Sequence, residues 1–123
     1  MDKVELRKRT KKFAVDIIVF LGKLPYTKAT DIISKQLLRC ATSVGANYRS
    51  ACRGKSAADF INKITIVEEE ADESVYWFEL LEETNLVNVE LIDPLKKEAN
   101  ELTAIFTAIG KTSKLNQAAL NPK

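Results

Sequence analysis

Lys35, Arg39, Thr42, Ala46, Arg49 and Arg53 recur at intervals of 4-3-4-3-4. On a helix that spacing lines them up on one strip, so a row of cations interleaved with small residues faces one way. Guanidinium groups in a row bind phosphates or carboxylates. A second basic run, Arg7, Lys8, Arg9, Lys11 and Lys12, lies at the start of the chain. Cations at a helix N-terminus oppose the macrodipole, a mild cost that weakens a purely structural motive for them. The other chemistry-bearing group is the acidic run Glu68, Glu69, Glu70, Asp72 and Glu73. Three consecutive residues sweep about 200° of a helix, so these carboxylates cannot share one solvent face.

What such groups could catalyse is narrowed by what is missing. The sequence contains no histidine. That removes a Ser/His or Cys/His nucleophile pair, a zinc finger, a di-iron bundle site and the helical ribonucleases that use an Arg and His motif. Acid/base work by Glu70 and Glu73 would need a companion site, and none is visible. We therefore expect a protein that is not an enzyme and carries no cofactor or metal. The two cysteines, Cys40 and Cys52, are separated by twelve residues. If one helix holds both, they stand roughly 18 Å apart along its axis, beyond disulfide reach. Unpaired cysteines fit a reducing cytoplasm. The charged N-terminus and the Asp16 interruption that follows read as neither a signal peptide nor a membrane span.

The 123 residues suffice for one domain with a sizeable core. Residues 1–55 hold 13 lysines and arginines against 4 acids, whereas residues 56–123 hold 6 against 13. Such asymmetry predicts a basic surface for a polyanion, two halves that neutralise each other, or both.

The elements that must position these groups are helical. Leu6, Phe13, Ile17, Phe20 or Leu21, and Leu24 form a first stripe that Gly22 and Pro25 end. Ile33, Leu37, Cys40, Val44, Asn47 and Ala51 form a heptad-type seam, capped by Thr27 or Thr30 and ended by Gly54. Ser56, with Asp59 three residues on, starts a third stripe of Phe60, Ile64, Val67, Ala71, Val75 (or Ser74), Phe78 and Leu81, with Asn85 as its stop. Ile92, Leu95, Ala99, Leu102, Phe106 and Ile109 form the fourth. Its cap is Asn88 or Asp93; an Asn88 start would leave Pro94 inside the helix at the expense of a hydrogen bond. No strand-like alternation appears. The expectation is one all-α domain, residues 1–123, with helices at about 3–22, 28–53, 57–84 and 89–113 and a frayed tail at 115–123. Short linkers make it an antiparallel up-down four-helix bundle.

That topology makes further expectations. Ala41, Gly45 and Ala46 would let neighbouring backbones approach closely. Antiparallel pairing across the turn after Arg53 brings Arg39 opposite Glu70 and Glu73, so these three read as structural ion pairs. Arg49 and Arg53 would face a stretch whose one acid is Asp59. With Lys55 and Lys63 they would form an anion-binding patch, most naturally for phosphate backbones. Arg7, Lys8, Arg9, Lys11 and Lys12 form the second candidate site. Tyr76 and Trp77 could stack on bases, but packing is the commoner use of such a pair.

The segments QLLRCATSVGANYRSA, SAADFINKI (56–64) and EEADESVYWFELL (69–81), with RTKKFAVDII and Leu24-Pro25 before them, together resemble the small four-helix-bundle proteins encoded in intervening sequences of bacterial 23S ribosomal RNA. That family includes the accessory variability determinant protein of diversity-generating retroelements. Gln36, Arg39, Asn47, Tyr48 and Arg49 match its second-helix motif. Asp59, Phe60, Lys63, Glu70, Glu73, Tyr76 and Trp77 match the third. Ser50 and Glu69 depart from the pattern and change the local charge. The resemblance implies a ring-like homo-oligomer (a homopentamer), binding of RNA or DNA through a basic surface and, in the retroelement case, a reverse transcriptase partner. The alternative function is a protein-interaction scaffold or accessory subunit for such an enzyme.

Overall fold

The computed structural model describes residues 1–120. Four helices follow in order: α1 (Lys3–Leu21), α2 (Lys28–Cys52), α3 (Ala57–Glu83) and α4 (Val89–Leu120). No strand occurs among the described residues. Consecutive helices pack side by side, and α1 closes the bundle against α4 over a shorter stretch. Cross-links between α3 and α4 run in opposite directions along the two helices. Lys96 reaches Glu82 while Thr107 donates to Glu68, so α3 and α4 are antiparallel.

Local chemistry explains the helix ends. Asp2 accepts from the Glu5 amide at the start of α1. Thr27 and Thr30 form a reciprocal capping box at α2, and Ser56 caps α3 by accepting from the Asp59 amide. Such caps satisfy amides that have no partner within the helix. Beyond α3 the chain turns through Asn85, the one non-glycine residue with positive φ among those described, at 55°. Asparagine tolerates this left-handed conformation better than most side chains. The fourth helix starts at Val89, with Asn88 accepting from the Glu90 amide, so Pro94 stands inside it.

The stripes converge on a continuous core in which Phe13, Phe78 and Phe106 are fully buried. Each such ring contributes on the order of 2–3 kcal/mol of burial free energy. Two ring pairs cross the bundle diagonally. Phe20 of α1 meets Phe78 of α3 at 5.8 Å, and Tyr48 of α2 meets Phe106 of α4 at 5.2 Å between centroids. Thr10 fills the gap between Leu6 and Phe13 in the first stripe, its buried hydroxyl donating to the Leu6 carbonyl at 2.9 Å.

Three sequence expectations need correction. The seam of α2 passes through Tyr48, 2% exposed, rather than Asn47. Val44–Tyr48–Ala51 is as good a helical spacing as Val44–Asn47–Ala51, and a phenol ring fills the core where an amide would need partners. Ala46 is not a packing residue; it lies exposed on the outer strip. The expected fraying at 115–123 does not begin at Leu115, because α4 continues to Leu120. Leu115, Gln117, Ala118, Ala119 and Leu120 are good helix formers, and no glycine or proline interrupts them. Residues 121–123 of that tail lie outside the described residues.

Candidate nucleic-acid interface

At one end of the bundle α2 forms a ridge between two surface grooves. Gly45 sets the depth of the first. A Cβ there would lie 3.4 Å from the Thr10 carbonyl oxygen, so the α1 and α2 backbones are nearly in contact. The groove above this crossing holds about 480 Å³ and is floored by Ala14, Thr42, Gly45 and Ala46. Arg7, Lys8 and Lys11 of α1 form one wall, and Arg49 and Arg53 of α2 form the other. The second groove, about 510 Å³, lies between α2 and the start of α3. Ala46, Arg49, Ser50 and Arg53 line one side, and Lys55, Asp59 and Lys63 the other.

Arg49 and Arg53 therefore belong to both grooves. The two basic sites that the sequence presents separately, one at the N-terminus and one on α2, are a single face. Among the described residues Arg7, Lys8, Lys11, Arg49, Arg53 and Lys55 form no ion pair, and all six are exposed. Lys63 has Asp59 at 3.5 Å, one turn away on its own helix. Asp59 is the sole carboxylate in either groove.

Two residues of the expected N-terminal site do not join this face. Arg9 points the other way, to α4, where Nη2 lies 2.6 Å from Glu98 and 3.2 Å from Glu101. Its position, two residues beyond Arg7, places it about 200° around the helix from that side chain. The hydrogen bond to Glu98 raises the Arg9 guanidinium above its usual value. Lys12 pairs with Asp16 at 2.6 Å and lies outside both grooves.

The middle of α2 is built differently. Arg39 Nη1 is 2.9 Å from Glu70, and its Nη2 pairs with Glu73. Glu73 also accepts from the Cys40 thiol at 2.8 Å and from Trp77 Nε1 at 3.2 Å. These hydrogen bonds, that of Cys40 first, hold the Glu73 carboxyl below its ordinary value. Burial, with the carboxylate beside it, pushes the Cys40 thiol well up. A protonated, buried thiol is no nucleophile. The acidic run thus fans around α3: Glu70 and Glu73 reach α2, Glu68 accepts from Thr107 of α4, and Glu69 and Asp72 face solvent. Tyr76 is exposed and stacks edge-on against Trp77 at 5.1 Å. The Glu73 hub was not legible in sequence beyond its Arg39 contact, because a cysteine and a tryptophan carry no charge pattern.

No cluster of potential metal ligands occurs among the described residues. No described helix is long and apolar enough to cross a membrane.

Comparison with known proteins bears on this geometry. The sequence model of a family described as "23S rRNA-intervening sequence protein" matches residues 2–108. Among solved structures the chain is similar to a protein of unknown function from the S23 ribosomal protein family of Bacteroides thetaiotaomicron VPI-5482. The two share 35% identity with a TM-score of 0.82, over 90% of this chain and 99% of that one. No curated protein matches the chain significantly.

Proposed function

The chain belongs to the 23S rRNA-intervening sequence protein family, and from that premise we propose that it is a non-enzymatic nucleic-acid-binding protein of the bacterial cytoplasm, working as a homo-oligomer. The ligand is ribosomal RNA or another structured RNA or DNA, held through its phosphates. The observation that carries this reading is the union of two basic grooves along Arg49 and Arg53, with Arg7, Lys8 and Lys11 on one side and Lys55 and Lys63 on the other. Unpaired cations in a concave surface focus a positive potential that attracts a polyanion.

Fluorescence anisotropy with a structured RNA fragment and a matched DNA duplex, titrated with salt, tests it. Binding should fall steeply as salt rises. Absence of binding at low salt would overturn the reading.

A homo-oligomer, pentameric by family resemblance, is supported by apolar side chains left on the outer surface of α1. Val15, Ile18 and Val19 are each about half exposed, at 49%, 51% and 53%. Mass measurement in solution tests it, and a monomer at working concentration would remove the assembly from the proposal. The same apolar surface supports the second reading, an accessory subunit or scaffold for a partner enzyme such as a reverse transcriptase. Recovery of that partner after nuclease treatment would favour it.

A further inference from the structure

We propose that this face takes double-helical nucleic acid, gripping two phosphate ridges at once and reading no sequence. The inference rests on the nucleic-acid reading above and adds the form of the ligand.

Width is the first reason. The cations stand on three adjacent elements: Arg7 and Lys11 on α1, Arg49 and Arg53 on α2, and Lys63 on α3. Because α1 and α3 lie diagonally across the bundle, with adjacent packed helices 8–10 Å apart, the cationic swath folds over the α2 ridge and its outer rows stand roughly 11–14 Å apart. One phosphate backbone would cover a single row and leave the others unneutralised. The two backbones bordering a duplex groove, about 6 or 12 Å apart in B-form DNA, fit within the swath. Along α1 and α2 the paired cations are four residues apart, about 6 Å of rise, close to two backbone steps.

The second reason is what the face lacks. Single strands are held largely by stacking bases on aromatic rings. No aromatic residue lines either groove. Tyr48, the aromatic in the α2 motif, is buried against Phe106. Phe60, near the same end, is only partly exposed, and Lys3 Nζ lies 5.6 Å above its ring centroid. Tyr76 and Trp77 sit on α3 beside Glu73, away from both grooves.

The third reason is the absence of base-reading amides. Neither groove is lined by asparagine or glutamine. The nearest in sequence, Asn47, spends its amide on the Ser43 carbonyl and hydroxyl at 3.0 and 2.8 Å. The groove floors are small side chains, which leave room for a backbone, and the Thr42 hydroxyl among them donates to the Leu38 carbonyl at 2.7 Å.

Anisotropy with an RNA duplex, a DNA duplex of the same sequence, a duplex of shuffled sequence and the single RNA strand tests this at one salt concentration. The duplexes are expected to bind at least about tenfold tighter than the strand, with shuffling without effect. Preference between the RNA and DNA duplexes identifies which source supplies the ligand, and either is compatible with the proposal. Single-strand binding as tight as duplex binding overturns the proposal while leaving the nucleic-acid reading intact; no binding to any probe overturns both. A variant with Arg7→Ala, Lys8→Ala and Lys11→Ala removes one outer row of exposed, unpaired side chains and should fold. It is expected to lower duplex affinity to the level of the single strand. An unchanged ratio of duplex to single-strand affinity in that variant would sink the two-ridge grip.

Discussion

Arg39 and Arg49 lie on the same strip of the same helix, yet their surroundings are opposite. Arg39 is clasped by Glu70 and Glu73, and its neighbours Cys40 and Trp77 donate to the same carboxylate. Arg49, three turns on, has no ion-pair partner among the described residues and opens onto two basic grooves. The helix is the same; the difference is the facing stretch of α3. Opposite Arg39 that stretch carries its acidic run, and opposite Arg49 and Arg53 its one acid is Asp59. A row of arginines is therefore not in itself a binding site. It becomes one only where the neighbouring element withholds its carboxylates.

The sharpest way to break this contrast is to reverse the charge of the unpaired pair. Arg49→Glu with Arg53→Glu is expected to weaken nucleic-acid binding by on the order of 100-fold at low salt and to lower the salt slope by about two. Circular dichroism of the variant should be unchanged. Converting the clasped region into the open kind is the reverse test. Glu70→Gln with Glu73→Gln should release Arg39 to solvent and tighten binding roughly threefold, raising the salt slope by about one.

Arg39→Ala should do the opposite of Arg49→Glu: binding stays as in the wild type while denaturant unfolding shows a loss of about 1 kcal/mol. Arg39 and Glu73 are substantially solvent-exposed, so a larger effect is not expected. A smaller effect separates the regions by pH. The Glu73 carboxyl is held below its ordinary value by Cys40, Trp77 and Arg39. Its contribution to stability is complete above the unfolded-state value and is lost as pH falls through the folded one. Acid titration of stability should therefore be shallower in Glu73→Gln than in the wild type on the acid side of the usual carboxylate range.

Much of the fold was legible in the residues. Phe13, Ile17 and Phe20, or Ile64, Val67, Ala71 and Phe78, declare a helical face by spacing alone, and all of them are buried. Thr27, Ser56 and Asn85 mark helix boundaries because each has a side chain or conformation suited to ending a hydrogen-bond ladder. Less was legible at the candidate interface. The heptad spacing put Asn47 in the seam of α2, yet Tyr48 fits the same helical spacing; the diagonal contact with Phe106 decides it. Arg9 looked like one cation among five, yet its direction around α1 and the arrival of Glu98 and Glu101 from α4 remove it from the face.

By itself the sequence determined the all-α class, the number of helices and their faces, the split of charge along the chain and the exclusion of histidine-based chemistry. These are properties of residue type and of a period of 3.6 residues per turn, and a chain expresses them locally. Only the tertiary structure decided which cations stay unpaired and that two distant basic runs line one groove. Neutralisation depends on what lies within a few ångströms across a helix–helix contact. That is set by the register between helices: Thr10 under Gly45, Arg39 beside Glu70, and Arg9 turned to Glu98.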